Sequence, residues 1–176
     1  MKKRIFSMLL TVLLLAALLT STASAGGNVG FKNLQFSLGS LDLAGTLRGL
    51  GGYSEGVTVE LSASGIPVVI CTNQGGNESP GQNPSIVSAD GTQLITGQDI
   101  TKNGTAPVNI TAEPGPISAT QGGCANDNWT AEIVFVYWTS ATVSVYDSAT
   151  GDLLLSQDYT CVTTRDPDSV SCTPAP

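Results

Sequence analysis

The stretch GYSEG, from Gly52 to Gly56, fits the G-x-S-x-G pattern that in one class of hydrolases presents a nucleophilic serine between a strand and a helix. Such a serine needs a base within hydrogen-bond reach, and in that class the base is a histidine. The chain has no histidine, and Lys32 and Lys102 do not occur in an S-x-x-K pattern. The residues that follow, GVTVELSA, alternate as in a strand. We therefore interpret Ser54 as a turn residue and predict that the chain is not an enzyme.

A pair of carboxylates could still hydrolyse a sugar, provided that burial keeps one of them protonated. The best candidate is Glu132, which lies inside the apolar segment WTAEIVFVYW. Strict alternation assigns to one face of this segment the residues Trp129, Ala131, Ile133, Phe135 and Tyr137. Glu132 then shares the opposite, solvated face with Thr130, so we expect it to have no catalytic role.

Four cysteines allow three disulfide pairings, and an even number in an exported chain indicates disulfides. We favour Cys161–Cys172, because the short polar stretch CVTTRDPDSVSC can bring the C-terminal tail back onto the last strand. The remaining pair is Cys71–Cys124, and both residues adjoin glycine-rich loops that can accommodate a crosslink. Zinc is the alternative, but the chain lacks a C-x-x-C pair as well as histidine.

Oxygen-rich segments invite a calcium hypothesis. Asn126–Asn128, Asp147 with Asp152, and Asp166 with Asp168 supply ligands that calcium prefers, but none matches a D-x-[DN]-x-[DN]-G loop. We interpret all three as acidic turns. The sequence predicts no metal and no cofactor.

Aromatic residues offer a candidate ligand platform. Trp129, Trp138 and Tyr146, together with Tyr137 and Tyr53, could stack against a sugar ring. In a chain with many strands, such residues more often belong to the core. A carbohydrate-binding module is therefore the alternative function, and burial of these rings would count against it.

The first residues have the three parts of a secretory signal peptide. A positive segment at Lys2–Arg4 precedes a short apolar run at Leu9–Leu19 and the A-x-A site at Ala23–Ala25. A membrane anchor is the rival interpretation, but the run is shorter than the roughly 20 residues that span a bilayer. We predict cleavage after residue 25, no lipid or membrane anchor on the product, and a secreted, extracellular protein.

Charge and length limit what the predicted mature chain can do. After cleavage, Lys32, Arg48, Lys102 and Arg165 remain against fourteen acidic residues, so nucleic acid is excluded as a partner. Residues 26–176 have the size of one domain. The partner we expect is an extracellular protein or a glycan, bound without catalysis.

Hydrophobic alternation, typical of half-buried strands, runs along most of the predicted mature chain. The candidate strands lie at 34–38, 41–43, 57–63, 66–71, 85–96, 108–112, 129–138, 141–147 and 152–161. Pro67 indicates an edge or strand-start position, and Gly151 offers a positive φ to a hairpin turn. About eight or nine short strands predict an all-β, antiparallel β-sandwich, Ig-like or similar.

A resemblance that runs over most of the predicted mature chain is carried by the segments IPVVICTNQGGNESPGQNP, CANDNWTAEIVFVYWTSATVSVYD and CVTTRDPDSVSC. Together they resemble an uncharacterised group of small secreted bacterial β-sandwich proteins. The resemblance implies a small exported domain with the same four cysteines. It implies no activity, ligand or catalytic residue.

Overall fold

The computed structural model describes residues 28–38, 40–165 and 168–176, and the predicted signal peptide lies outside them. This part of the chain contains nine strands and no helix, which confirms the all-β prediction. The strands are β1 (Gly30–Leu38), β2 (Leu41–Arg48), β3 (Val57–Thr72), β4 (Glu78–Pro80), β5 (Val87–Ile95), β6 (Thr105–Pro114), β7 (Thr130–Asp147), β8 (Leu153–Arg165) and β9 (Asp168–Pro174). No helix among the described residues is long and apolar enough to cross a membrane.

Every pairing between neighbouring strands is antiparallel, in the order β1-β2-β6-β5-β3-β7-β8-β9, with β4 on the side of β3. Strands β5 and β6 pair only at Ala89↔Pro114 and Asp90↔Glu113. This short corner lets β1, β2 and β6 fold over the remaining strands. The result is a sandwich-like sheet whose two edge strands, β1 and β9, come into contact. The Ig-like variant of this architecture stays a prediction.

The core fills the space between the two layers and follows the two-residue period of the strands. In β3 the predicted alternation holds, since Val57, Val59, Leu61 and Ala63 are all buried. The opposing layer contributes mainly Leu41, Leu43, Leu47, Ala106, Val108 and Ile110. At the closing seam, the rings of Phe36 in β1 and Tyr159 in β8 meet edge to face, with centroids 5.1 Å apart. Burial raises the pKa of the Tyr159 hydroxyl.

The sequence predicts two separate strands where the structure has the single strand β7, because two bulges interrupt its two-residue period. Its register with β3 slips between Val69↔Ile133 and Val68↔Phe135, and again between Gly65↔Trp138 and Ser64↔Ser140. Val134 and Thr139 are the extra residues. Each bulge moves the following side chains to the opposite face of the sheet.

The predicted face of β7 is therefore wrong beyond Ile133. Ala131 and Ile133 do face the interior, but the first bulge turns Phe135 and Tyr137 outwards and brings Val136 and Trp138 inwards. The second bulge restores the interior pattern at Ala141, Val143 and Val145. Glu132 is exposed, as predicted.

Pro67 lies in the middle of β3 and yet at a local edge of the sheet. Pairing with β5 ends at Gly65↔Val87, and pairing with β4 begins at Ile70, so the segment between them has a strand partner only in β7. On the open side the Val69 carbonyl accepts a hydrogen bond from the Gly81 N–H, 2.8 Å. The edge position predicted for this proline is confirmed, whereas the strand start is wrong.

Both predicted disulfides are present. Cys71–Cys124 spans a sequence separation of 53 residues with its Cα atoms 5.6 Å apart, and Cys161–Cys172 spans 11 residues at 4.0 Å. The tail returns onto β8 as predicted, although it does so as a strand, β9, in which Cys172 lies directly opposite Cys161. The predicted turn before β8 is also confirmed, with Gly151 at φ +78°. Two disulfides are typical of proteins from oxidising compartments.

Candidate functional site

Ser54 lies in an exposed turn between β2 and β3. The turn is held by hydrogen bonds from Tyr53 N to Leu50 O and from Gly56 N to Tyr53 O, both 3.1 Å. Strand β3 begins at Val57, so the residues after the motif form a strand, as predicted. The strand-turn-helix geometry of a nucleophile elbow is missing from this described segment.

Lys102 lines the same cleft as Ser54, about 290 Å³ in volume. Lys102 is exposed, and in the part of the chain that the structure describes no hydrogen bond joins it to Ser54 Oγ. The contact between nucleophile and base that activates a serine is therefore not formed in this geometry.

In the adjoining turn, Thr96 donates from Oγ1 (2.7 Å) and N (2.9 Å) to the Asp99 carboxylate, which lowers the pKa of Asp99.

The predicted aromatic platform of Trp129, Trp138 and Tyr146 is not assembled. Trp138 is 2% exposed and belongs to the core. Trp129 immediately precedes β7 and lies beside the Cys71–Cys124 disulfide, whereas Tyr146 lies at the opposite end of the strand. These two rings are therefore separated by most of the length of β7, an 18-residue strand. The prediction of a single platform is wrong.

A different aromatic surface lies on the outer face of the sheet. We call Ile66, Val68, Phe135 and Tyr137 the outer patch; the residues pair across strands as Ile66↔Tyr137 and Val68↔Phe135. The rings of Phe135 and Tyr137 are 5.1 Å apart at an interplanar angle of 74°, and Arg165 Cζ lies 5.6 Å from the Phe135 centroid. The bulge at Val134 creates this patch, which strict alternation could not predict.

A second surface is a cleft at the end of the sandwich where β7 begins. We call it the β7 cleft; it has a volume of about 410 Å³ and is lined by Ser40, residues 114–117, residues 131–136 and Trp138. Clefts of this size are typical of ligand-binding sites. Trp138 forms its buried wall, and Glu132 is the sole charged residue among those that line it.

The two walls of the β7 cleft come from parts of the chain that are distant in sequence. One wall is β7 itself, and the other is Pro114–Ile117, the end of β6 and the start of the loop after it, where two prolines restrict the backbone. Ile117 packs against the core. Further along the loop, Cys124 N donates to Ala119 O (2.9 Å), and Cys124 is bonded to Cys71 of β3. The disulfide thus fixes the loop that forms the second wall.

Two of the three acidic segments form turns, in line with their interpretation from the sequence, whereas Asp168 of the third begins strand β9. Asp147 Oδ1 accepts from Ala149 N (2.8 Å), and Asp152 Oδ2 accepts from Thr150 Oγ1 (2.9 Å) in the turn between β7 and β8. Asp127 Oδ1 accepts from Thr120 Oγ1 at 2.7 Å. Across residues 28–38, 40–165 and 168–176, no three His, Cys, Asp or Glu side chains cluster to hold a metal. The Asp166 part of the calcium hypothesis lies outside these ranges.

The chain matches no protein-family model, no curated protein and no solved structure.

Proposed function

We propose that the protein is a secreted, non-catalytic binding domain that holds an extracellular ligand in the β7 cleft. The observation that carries this proposal is the cleft itself: about 410 Å³, with the buried Trp138 in one wall and a disulfide-anchored loop in the other. Walls that are already fixed lower the entropic cost of binding. The predicted signal peptide and the two disulfides support an extracellular location.

The absence of catalysis is part of the same proposal. Ser54 has no hydrogen-bonded base among the described residues, and the β7 cleft is lined by one carboxylate, that of Glu132, where a glycosidase needs two. A broad hydrolase screen on purified protein should detect no turnover. Turnover that Glu132→Gln abolishes would overturn this part of the proposal.

Filling the β7 cleft should abolish binding. The probe is a glycan array together with a pulldown from culture supernatant, using protein that lacks residues 1–25 and has both disulfides formed. Ser40 lies in the turn before β2 and lines the cleft, so we expect Ser40→Trp to reduce binding at least tenfold without affecting stability. Ala149→Trp, in the exposed turn at the other end of β7, is the matched control and should bind like the parent. Equal binding by both variants would place the ligand elsewhere.

A carbohydrate-binding module is the second candidate function, and the outer patch favours it. Phe135 and Tyr137 present aromatic rings on the outer face, but their interplanar angle of 74° prevents both rings from stacking on the same sugar plane. In the same experiment, a sugar held on this patch would be lost in Tyr137→Ala, at a residue that does not line the β7 cleft, and retained in Ser40→Trp. The reverse pattern supports the β7 cleft.

A further inference from the structure

The backbone along the first half of β7 has hydrogen-bonding capacity that no strand uses. Pairing with β3 covers β7 from Thr130 to Asp147, whereas pairing with β8 begins only at Ser140. The edge that faces away from β3, from Thr130 to Thr139, has no strand partner in the described part of the chain. On that side, Thr163 Oγ1 of β8 donates to Trp138 O, 3.1 Å, and Arg165 Cζ of β8 lies 5.6 Å from the Phe135 ring centroid.

This edge runs along the β7 cleft. The cleft is lined by six consecutive residues, 131–136, although side chains of a strand alternate between its two faces. An uninterrupted run of this kind is expected when a cleft follows the edge of a strand and not one of its faces. About every second residue of the edge therefore offers a backbone N–H and C=O to whatever fills the cleft.

An edge of this length is normally protected in natural proteins by charge, by proline or by a bulge. Here the bulge at Val134 and the carboxylate of Glu132 limit indiscriminate pairing, yet Val134 itself is 48% exposed. Strand addition needs two elements: backbone groups without a strand partner, and a cavity beside them that can hold an apolar side chain. Both are present at this edge.

The charges favour a basic partner over a second copy of the chain. Glu132 is the sole charged residue in the lining, and the whole chain has a net charge of −7. Two copies pairing edge to edge would bring two Glu132 carboxylates and two acidic surfaces together, which is unfavourable. A Lys or Arg in the partner would instead face Glu132.

We propose that the Thr130–Trp138 edge of β7 accepts an extended segment of another protein as an additional strand, with an apolar side chain in the β7 cleft and a Lys or Arg beside Glu132. This inference rests on the proposed function and specifies its ligand as a polypeptide. Backbone hydrogen bonds supply affinity for any extended chain, and the cleft and Glu132 supply selectivity.

The test uses a displayed library of random linear peptides, selected on the full domain with its disulfides intact. We expect the selected peptides to combine apolar residues with a Lys or Arg. N-methylation of their backbone should weaken binding at least tenfold at alternate positions only, because each N–H directed at β7 forms a hydrogen bond and its neighbours do not. Glu132→Gln should weaken binding about two- to fivefold, and high salt should reduce that difference.

Hydrogen exchange on the complex locates the peptide without a mutation. Among residues 130–138, the amides directed away from β3 should gain protection, and those of the outer edge of β9 should not. Failure to select any peptide, uniform sensitivity to N-methylation, protection elsewhere, or self-association in place of peptide binding would each overturn the inference. The proposed function would survive any of these results if Ser40→Trp still abolished binding of a glycan or another ligand.

Discussion

Replacing Cys71 and Cys124 together with alanine should lower the free energy of unfolding by roughly 2–5 kcal/mol. The bridge closes a loop across 53 residues and joins the end of β3 to the loop that precedes β7, so its loss releases much unfolded-chain entropy. It also releases the wall at Pro114–Ile117, and we expect ligand binding in the β7 cleft to fall with stability. Thermal unfolding under non-reducing conditions measures the first effect, and binding below the transition measures the second.

The matched control is the replacement of Cys161 and Cys172 with alanine. This bridge spans 11 residues, and seven residue pairs of the β8–β9 ladder, Tyr159↔Pro174 to Arg165↔Asp168, already hold the two strands together. On loop length alone the cost should be about 1 kcal/mol smaller. Because Cys161 is buried in the core, its replacement also removes packing contacts, and this reduces the difference in cost between the two pairs. A larger loss from this pair than from Cys71–Cys124 would contradict the prediction, as would peptide mapping that finds another pairing.

The strands with a regular two-residue period were predictable from sequence alone. In β3 the buried positions from Val57 to Ala63 follow the pattern directly, and the disulfides follow from cysteine number and loop position. Each of these features depends on residues close together in the chain or on a simple count. The two-residue period therefore predicts the buried positions of β3, and the number and position of the cysteines predict the bridges.

The bulges of β7 were not predictable in this way, because a bulge is a property of two paired strands. A local signal did exist in β3, where Gly65 lies opposite Trp138 beside the second bulge. A Cβ at Gly65 would lie 2.7 Å from the Tyr137 carbonyl oxygen, so the close backbone approach there requires glycine. An isolated glycine within a strand pattern can indicate a bulge, but it cannot show on which partner residue the bulge falls.

The β7 cleft was even less accessible to sequence analysis. Its lining combines Ser40, residues 114–117, residues 131–136 and Trp138, and only the sheet order places these segments together. The open backbone edge of β7 beside the cleft consists of main-chain N–H and C=O groups, which no side-chain pattern in the sequence indicates. The predictable part was that Glu132 lies on the solvated side of its strand.

Replacing Trp138 with alanine should cost roughly 3–5 kcal/mol of unfolding free energy, because it removes a large buried side chain from the centre of β7. Trp138 is 2% exposed, and its neighbours in the interior are held by the β3 ladder, which limits how far the cavity can collapse. Urea unfolding followed by circular dichroism measures the loss. Trp138→Phe fills part of the cavity and should cost clearly less.

Trp129 provides the matched control for this substitution. It is half-buried beside the Cys71–Cys124 disulfide, so Trp129→Ala removes the same atoms from a partly solvated position and should cost less than Trp138→Ala. Trp138→Phe should retain the fold. It should still weaken ligand binding, because Trp138 also forms the buried wall of the β7 cleft. Equal destabilisation by the two alanine variants would contradict the placement of Trp138 in the core, which follows from the bulges of β7.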